Sequence, residues 1–163
     1  MTGDSNRPDS QQWAAFQTMA FDVLRKVLLE AHSPGKMGVS LAERMRELTG
    51  ARIAILFQSL QAVQGAGLRT VAVHPERHSK IAESQEANRL AEMGGSESKP
   101  TLWNRETCSE EAGETLDKLG CGMSIAVPLN LGDVEVGVLL LLDVPATHSI
   151  SQIMGLLDIL STV

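Results

Sequence analysis

The feature that most constrains this chain is the stretch Met123–Leu142. Met123, Ile125, Val127 and Leu129 alternate with smaller residues, Asn130–Asp133 has the composition of a turn, and Val134, Val136, Val138, Leu140 and Leu142 alternate back. Strand side chains point to opposite faces in succession, so alternation on both sides of a turn dictates an antiparallel hairpin. Leu139 and Leu141 make the second face of the returning strand apolar too, and that strand needs cover on both sides. The apolar run Val136–Leu142 ends at Asp143, well short of the roughly 20 residues that cross a bilayer. It is a strand, not a span.

A sheet of this kind needs helices to bury its faces. Beyond the cap residues Asp9 and Ser10, Trp13, Phe16, Ala20, Leu24, Val27, Leu28 and Ala31 recur at helical spacing, and Ser33-Pro34-Gly35 is read as their stop. A shorter helix is expected from the box Ser40-x-x-Glu43, with Leu41, Met45 and Leu48 as its apolar stripe and Gly50 as its end. Strands are expected over Arg52–Phe57 and Leu68–Val73. In the first, Ile53, Ile55 and Phe57 share one face, with Ala54 and Leu56 on the other. A helix over Ser79–Met93 closes at Gly94-Gly95, and Gly94–Lys99 reads as a mobile loop. Pro100–Trp103 suits a short edge strand, since proline cannot donate to an interior ladder. A helix over Ser109–Leu119 has Glu110 and Glu111 in its first turn and ends at Gly120. The last helix starts at Ser149 and carries Ile150, Ile153, Met154, Leu157 and Leu160. These elements predict one α+β domain over 11–163 behind a flexible segment 1–10, with the final helix continuing into a further domain.

Charge and cysteine content narrow the function. A net charge of −6 leaves no basic footprint for nucleic acid and no basic cluster for an anionic membrane. Met1–Ser10 is polar and lacks the apolar core of a secretory signal, so a cytoplasmic location is expected. Cys108 and Cys121 fit neither Cys-x-x-Cys nor a finger spacing and read as reduced thiols; a redox pair is the less favoured alternative. His74 and His78 flank Pro75-Glu76, and Pro75 disfavours the helix that would align them as metal ligands. No metal site is expected. Phosphate-loop, His-Glu-x-x-His and Gly-x-Ser-x-Gly patterns are missing, and Glu83, Glu86, Glu110, Glu111 and Glu114 read as solvated helix faces, so the domain is not expected to be an enzyme.

The run Leu116-Asp117-Lys118-Leu119-Gly120-Cys121-Gly122-Met123-Ser124-Ile125-Ala126-Val127-Pro128-Leu129, followed by Gly132 and Gly137-Val138-Leu139, resembles the C-terminal half of GAF domains. With the paired entry helices, the strand at Arg52–Phe57 and the closing helix, the resemblance spans about Trp13–Val163. It implies a six-stranded antiparallel sheet with terminal helices on one face and pocket-side helices and loops on the other. Phe57, Val73, His74, Trp103, Leu116 and Ser124 would line the small-molecule pocket. Trp13, Phe16, Ala20, Leu24, Ile150, Ile153 and Leu157 would form dimer and relay helices.

The resemblance further implies a sensory domain of a larger bacterial signalling protein: a histidine kinase, a phosphodiesterase, a cyclase or a transcriptional activator. The small molecule is unknown, and a homodimer and a C-terminal effector domain are the expected partners. Two alternatives stand beside it: a ligand-free module for dimerisation or protein interaction, and a thiol redox sensor. Bilin-binding members carry Cys-His where this chain has about Glu111-Ala112, and Cys108 is followed by Ser109, so no covalent bilin is expected. The Asn-Lys-Phe-Asp-Glu set of cyclic-nucleotide members cannot be placed, and two cysteines are too few for the methionine sulfoxide reductases of the family. No other cofactor is identified.

Overall fold

In the computed structural model, which describes residues 34–59, 67–131, 134–145 and 150–161, the sheet is built outward from β1 (Ile53–Ser59). β1 pairs with β2 (Leu68–His74) on one side and β5 (Val134–Leu142) on the other; β5 then pairs with β4 (Ser124–Leu131), and β4 with β3 (Thr101–Trp103). All neighbours are antiparallel, in the order β2-β1-β5-β4-β3. The described residues thus hold five strands, the number read from the residues themselves, and not the sixth that the resemblance implies. Five helices accompany them: α1 (Pro34–Thr49), the single turn α2 (Ser79–Ala82), α3 (Gln85–Gly95), α4 (Glu110–Leu119) and α5 (Ile150–Ser161).

Alternation makes β1 and β5 feed two cores at once. Ala54, Leu56, Leu139 and Leu141, with Ile125 and Val127 of β4, are buried under Leu41, Ala42 and Met45 of α1 and Ile153 and Leu157 of α5. On the opposite face Ile53, Ile55, Phe57, Val138, Leu140 and Leu142 are buried under Ala87, Leu90 and Ala91 of α3 and Ala112 and Leu116 of α4. The expected hairpin is present, with Ile125 opposite Leu141 and Val127 opposite Leu139. Its strands reach Leu131 and Val134, so Asn130 and Leu131 are paired residues and not turn; Gly132-Asp133 lie outside the described residues. Pro128 stands beyond β3, which pairs only with Ser124–Ala126, so the outer side of β4 has no ladder there to interrupt.

Three local readings need correction. Pro34 opens α1 six residues ahead of the expected cap Ser40, at a first-turn position where proline's missing N–H would be unpaired anyway; the helix that Pro34 is expected to end lies outside the described residues. Ser40 and Glu43 consequently lie inside α1 and cap nothing. The helix over Ser79–Met93 breaks at Ser84, whose extended backbone and hydroxyl, accepting from Ala87 N at 3.2 Å, start α3 afresh. Gly94 and Gly95 belong to α3, so the expected loop starts two residues late. The apolar positions from Trp13 to Ala31 lie outside the described residues.

Gly137 marks the tightest point of the sheet. A Cβ there would overlap the carbonyl oxygen of Phe57 across the β1–β5 ladder. Gly155, within α5, has nothing within 4 Å of its would-be Cβ. Gly137→Ala should therefore cost about 1–3 kcal/mol by forcing backbone apart, whereas Gly155→Ala should gain about 0.5–1 kcal/mol of helix stability. Urea unfolding midpoints of the two variants, moving in opposite directions, would check this.

Candidate functional site

The residues expected to line a pocket divide into two groups. Phe57, Trp103 and Leu116 are buried together between the sheet and α3–α4, and Val73, opposite Ile55, packs partly buried against them. α3 is buried on this side through Ala87, Leu90, Ala91 and Gly94. Gly94 lies so near β4 that a Cβ would overlap that of Ala126, with Trp103 at its side. Ser124 is fully buried but occupied: its hydroxyl donates to the Gly122 carbonyl at 3.2 Å and accepts from Asp143 N at 3.1 Å. His74 pairs with Ala54, whose side chain belongs to the other core, and its buried Nδ1 has no hydrogen-bond partner. Of the relay residues, Ile153 and Leu157 are buried and Ile150 packs beside them under the sheet; Trp13, Phe16, Ala20 and Leu24 lie outside the described residues.

A cleft of about 710 Å³ opens elsewhere, at the end of the sheet where β1, β2, β4 and β5 meet Leu41 of α1. Leu56, Val71, Leu129 and Val136 give it apolar walls, and Arg69 and Gln58 stand in its lining joined by a 2.7 Å hydrogen bond. Of the six expected pocket residues it includes Phe57 alone. The size is that of ordinary small-molecule sites, and apolar walls with few polar groups are their usual chemistry. The cleft owes part of its shape to an irregularity: Leu56 pairs with Ala72 but Phe57 with Thr70, so Val71 is an extra residue and stands 39% exposed. Nothing in the alternation of Leu68–Val73 announces that bulge.

The other end of β1 carries a polar latch. Asp143, directly after β5, adopts a left-handed backbone with φ 61°. One carboxylate oxygen accepts from Gly122 N at 2.9 Å and the other from Arg52 Nε at 3.0 Å. Arg52 also reaches Cys121 Sγ at 3.5 Å. Burial raises the Cys121 thiol above its ordinary pKa, and the Arg52 contact only tempers this, so the thiol is held protonated and a poor nucleophile. Cys108 is half-buried, and both cysteines are free. Among the described residues no group of three or more His, Cys, Asp or Glu is placed to hold a metal ion, and no helix is long and apolar enough to cross a membrane.

Comparison of the coordinates with solved structures finds counterparts of this fold. The GAF domain of a protein assigned as a sensor histidine kinase in Pseudomonas syringae pv. tomato matches with a TM-score of 0.60 at 16% identity, over 94% of this chain and 87% of that one. The fold is that of a GAF domain. The GAF domain of an Acinetobacter phosphoenolpyruvate-protein phosphotransferase matches at 0.61 and 14% identity, over 88% and 90% of the two chains. The photosensory core module of a Stigmatella aurantiaca phytochrome matches at 0.64 and 12% identity; this chain is covered to 95% but spans only 36% of that one. No protein-family model matches the sequence, and no curated protein does. The GAF architecture is thus reached with side chains almost wholly different from those of its counterparts.

The latch gives a direct expectation. Asp143→Ala removes the Gly122 and Arg52 bonds and puts alanine in a left-handed backbone, and should cost about 2–3 kcal/mol. Asp143→Asn tolerates that backbone and can still accept from Gly122 N, and should cost about 1 kcal/mol. Equal losses in chemical denaturation would show that the carboxylate charge, and not the backbone geometry, dominates.

Proposed function

We propose that this chain is a sensory GAF domain: a regulatory, non-enzymatic unit of a cytoplasmic signalling protein that binds a small molecule and passes the event to an effector through its terminal helices. The observation that carries the reading is the position of the cleft. Its wall includes Leu41 of α1 together with Leu56 of β1 and Leu129 of β4, residues of the core that α1 and α5 share. A ligand seated there touches the helical layer directly. Occupancy would favour one placement of α1 over another, which is the differential contact that any ligand-driven shift requires. The ligand would be largely apolar, with one group able to meet Arg69 or Gln58. The effectors suited to such a domain are a histidine kinase, a phosphodiesterase, a cyclase or a transcriptional activator.

A second reading, a GAF domain without a ligand that acts as a homodimerisation or interaction module, is favoured by a separate observation. The space between the sheet and α3 is filled by protein side chains, and Val39 of α1 and Ile159 of α5 are 46% and 54% exposed on the helical side. Apolar residues exposed on two helices that share one core suit a pairing face.

A thermal-shift screen of metabolites separates the two. Under the sensory reading a compound at a hundred times its Kd raises the melting temperature by about 5–10 °C, and Val136→Trp, which narrows the cleft mouth, weakens that compound at least tenfold. A compound that stabilises both forms equally binds elsewhere. No stabilising compound, together with a dimer by sedimentation velocity, would favour the module reading.

A further inference from the structure

We infer that the cleft takes an unbranched aliphatic monocarboxylate, its head held by Arg69 and Gln58 and its chain laid across the strands toward Leu129, an assignment that rests on the sensory reading of the same cleft. The register places the two ends. Arg69 of β2 stands opposite Gln58 of β1, Gln58 opposite Gly137 of β5, and Gly137 opposite Leu129 of β4. All four line the cleft, and they form one row across four strands. With neighbouring strands about 4.8 Å apart, the row runs roughly 14 Å from its charged end to its apolar end. Gly137 adds no side chain to the middle of it. Such a row suits a narrow chain with a single polar terminus.

Two bulges turn valines to the same place. Val71 is an extra residue in β2, and Val136 is one in β5, where Leu129 pairs with Gly137 but Asn130 with Glu135. Both valines line the cleft, and they are 39% and 44% exposed. A bulge re-aims a side chain, and here two of them supply apolar walls at one opening. Leu41 and Leu56, both buried, close the cleft on its core side.

The side chains at the polar end are left to donate. Arginine has no acceptor, so the 2.7 Å bond from Arg69 must end on the Gln58 amide oxygen, which leaves the Gln58 NH2 and the other Arg69 N–H groups for a ligand. Thr70, the remaining polar side chain of the described lining, is committed elsewhere, donating to the Ala82 carbonyl at 2.8 Å. Among the described residues Arg69 makes no ion pair and the lining holds no acid. Glu43, two residues beyond Leu41 on α1, is turned to another side of that helix, and Glu135 pairs with Asn130 one rung past the row. The nearby Glu47 is taken by Arg44. A planar guanidinium matches a carboxylate, and its single charge balances a monoanion; a dianion would exceed it. The leucines and valines offer no partner to the hydroxyls of a sugar.

Calorimetric titration of the whole chain with sodium hexanoate, octanoate and decanoate tests the assignment. Affinity should rise about fourfold with each added methylene. Octanamide should bind about tenfold more weakly than octanoate, the loss expected for one charge-assisted hydrogen bond. Arg69→Gln should weaken octanoate about tenfold and leave octanamide unchanged. Gln58→Glu, which keeps an acceptor for Arg69 and sets a negative charge beside it, should have the same effect. Both residues are exposed, so the urea midpoints of the two variants should stay at that of the parent. No binding of the three acids, equal binding of octanoate and octanamide, or undiminished octanoate binding in Arg69→Gln or in Val136→Trp would overturn the carboxylate assignment. Metabolites that still stabilise the domain through the cleft would leave the sensory reading standing after that result; a blank metabolite screen would remove both.

Discussion

Across the ladder between β1 and β5 there is no slack. Gly137 faces Gln58 with the Phe57 carbonyl where a side chain would have to go, and from there to the Ile53–Leu142 pair every residue of both strands but Gln58 is buried. Because alternate residues enter opposite cores, this one pairing fixes the alignment of both. A slip by one residue would exchange Ile53, Ile55 and Phe57 with Ala54 and Leu56, placing bulky groups under α1 and small ones under α4. The positions of the cleft and of the latch at Asp143 both follow from that single register.

The parts of the fold legible in the sequence were those where pattern and packing agree. The Met123–Leu142 alternation placed the hairpin, and the doubled apolar character of Leu139 and Leu141 correctly required cover on two faces. Ser109 and Gly120 marked both ends of α4 because each does one job: the hydroxyl accepts from Ala112 N, and the glycine takes φ 68°. Failures came where a residue admits two uses. Pro34, read only as the end of one helix, also begins α1. Gly94 looked like a terminator, yet its missing side chain serves a helix–sheet contact that no local signal reports.

The site was less legible than the fold for a related reason. Phe57, Trp103, Leu116 and Val73 were singled out as a group and do lie together, but an apolar cluster that lines a space and one that fills it are written with the same residues. What distinguishes them is how α3 seats on the sheet, where Leu90 fills the layer and Gly94 lies against Ala126. The cleft, in turn, depends on the extra residue Val71 and on strand ends that meet only in three dimensions. The Arg52–Asp143 pair joins residues 91 positions apart.

The irregularity at Val71 has a consequence for how copies of this domain can meet. Exposed sheet edges invite strand-to-strand association between molecules. Among the described residues β2, one outer strand, is buckled by its bulge and carries the exposed Arg69, while β3, the other, is three residues long and preceded by Pro100. Neither offers a straight row of backbone donors and acceptors. Edge-to-edge growth is therefore blunted at both edges of the described sheet.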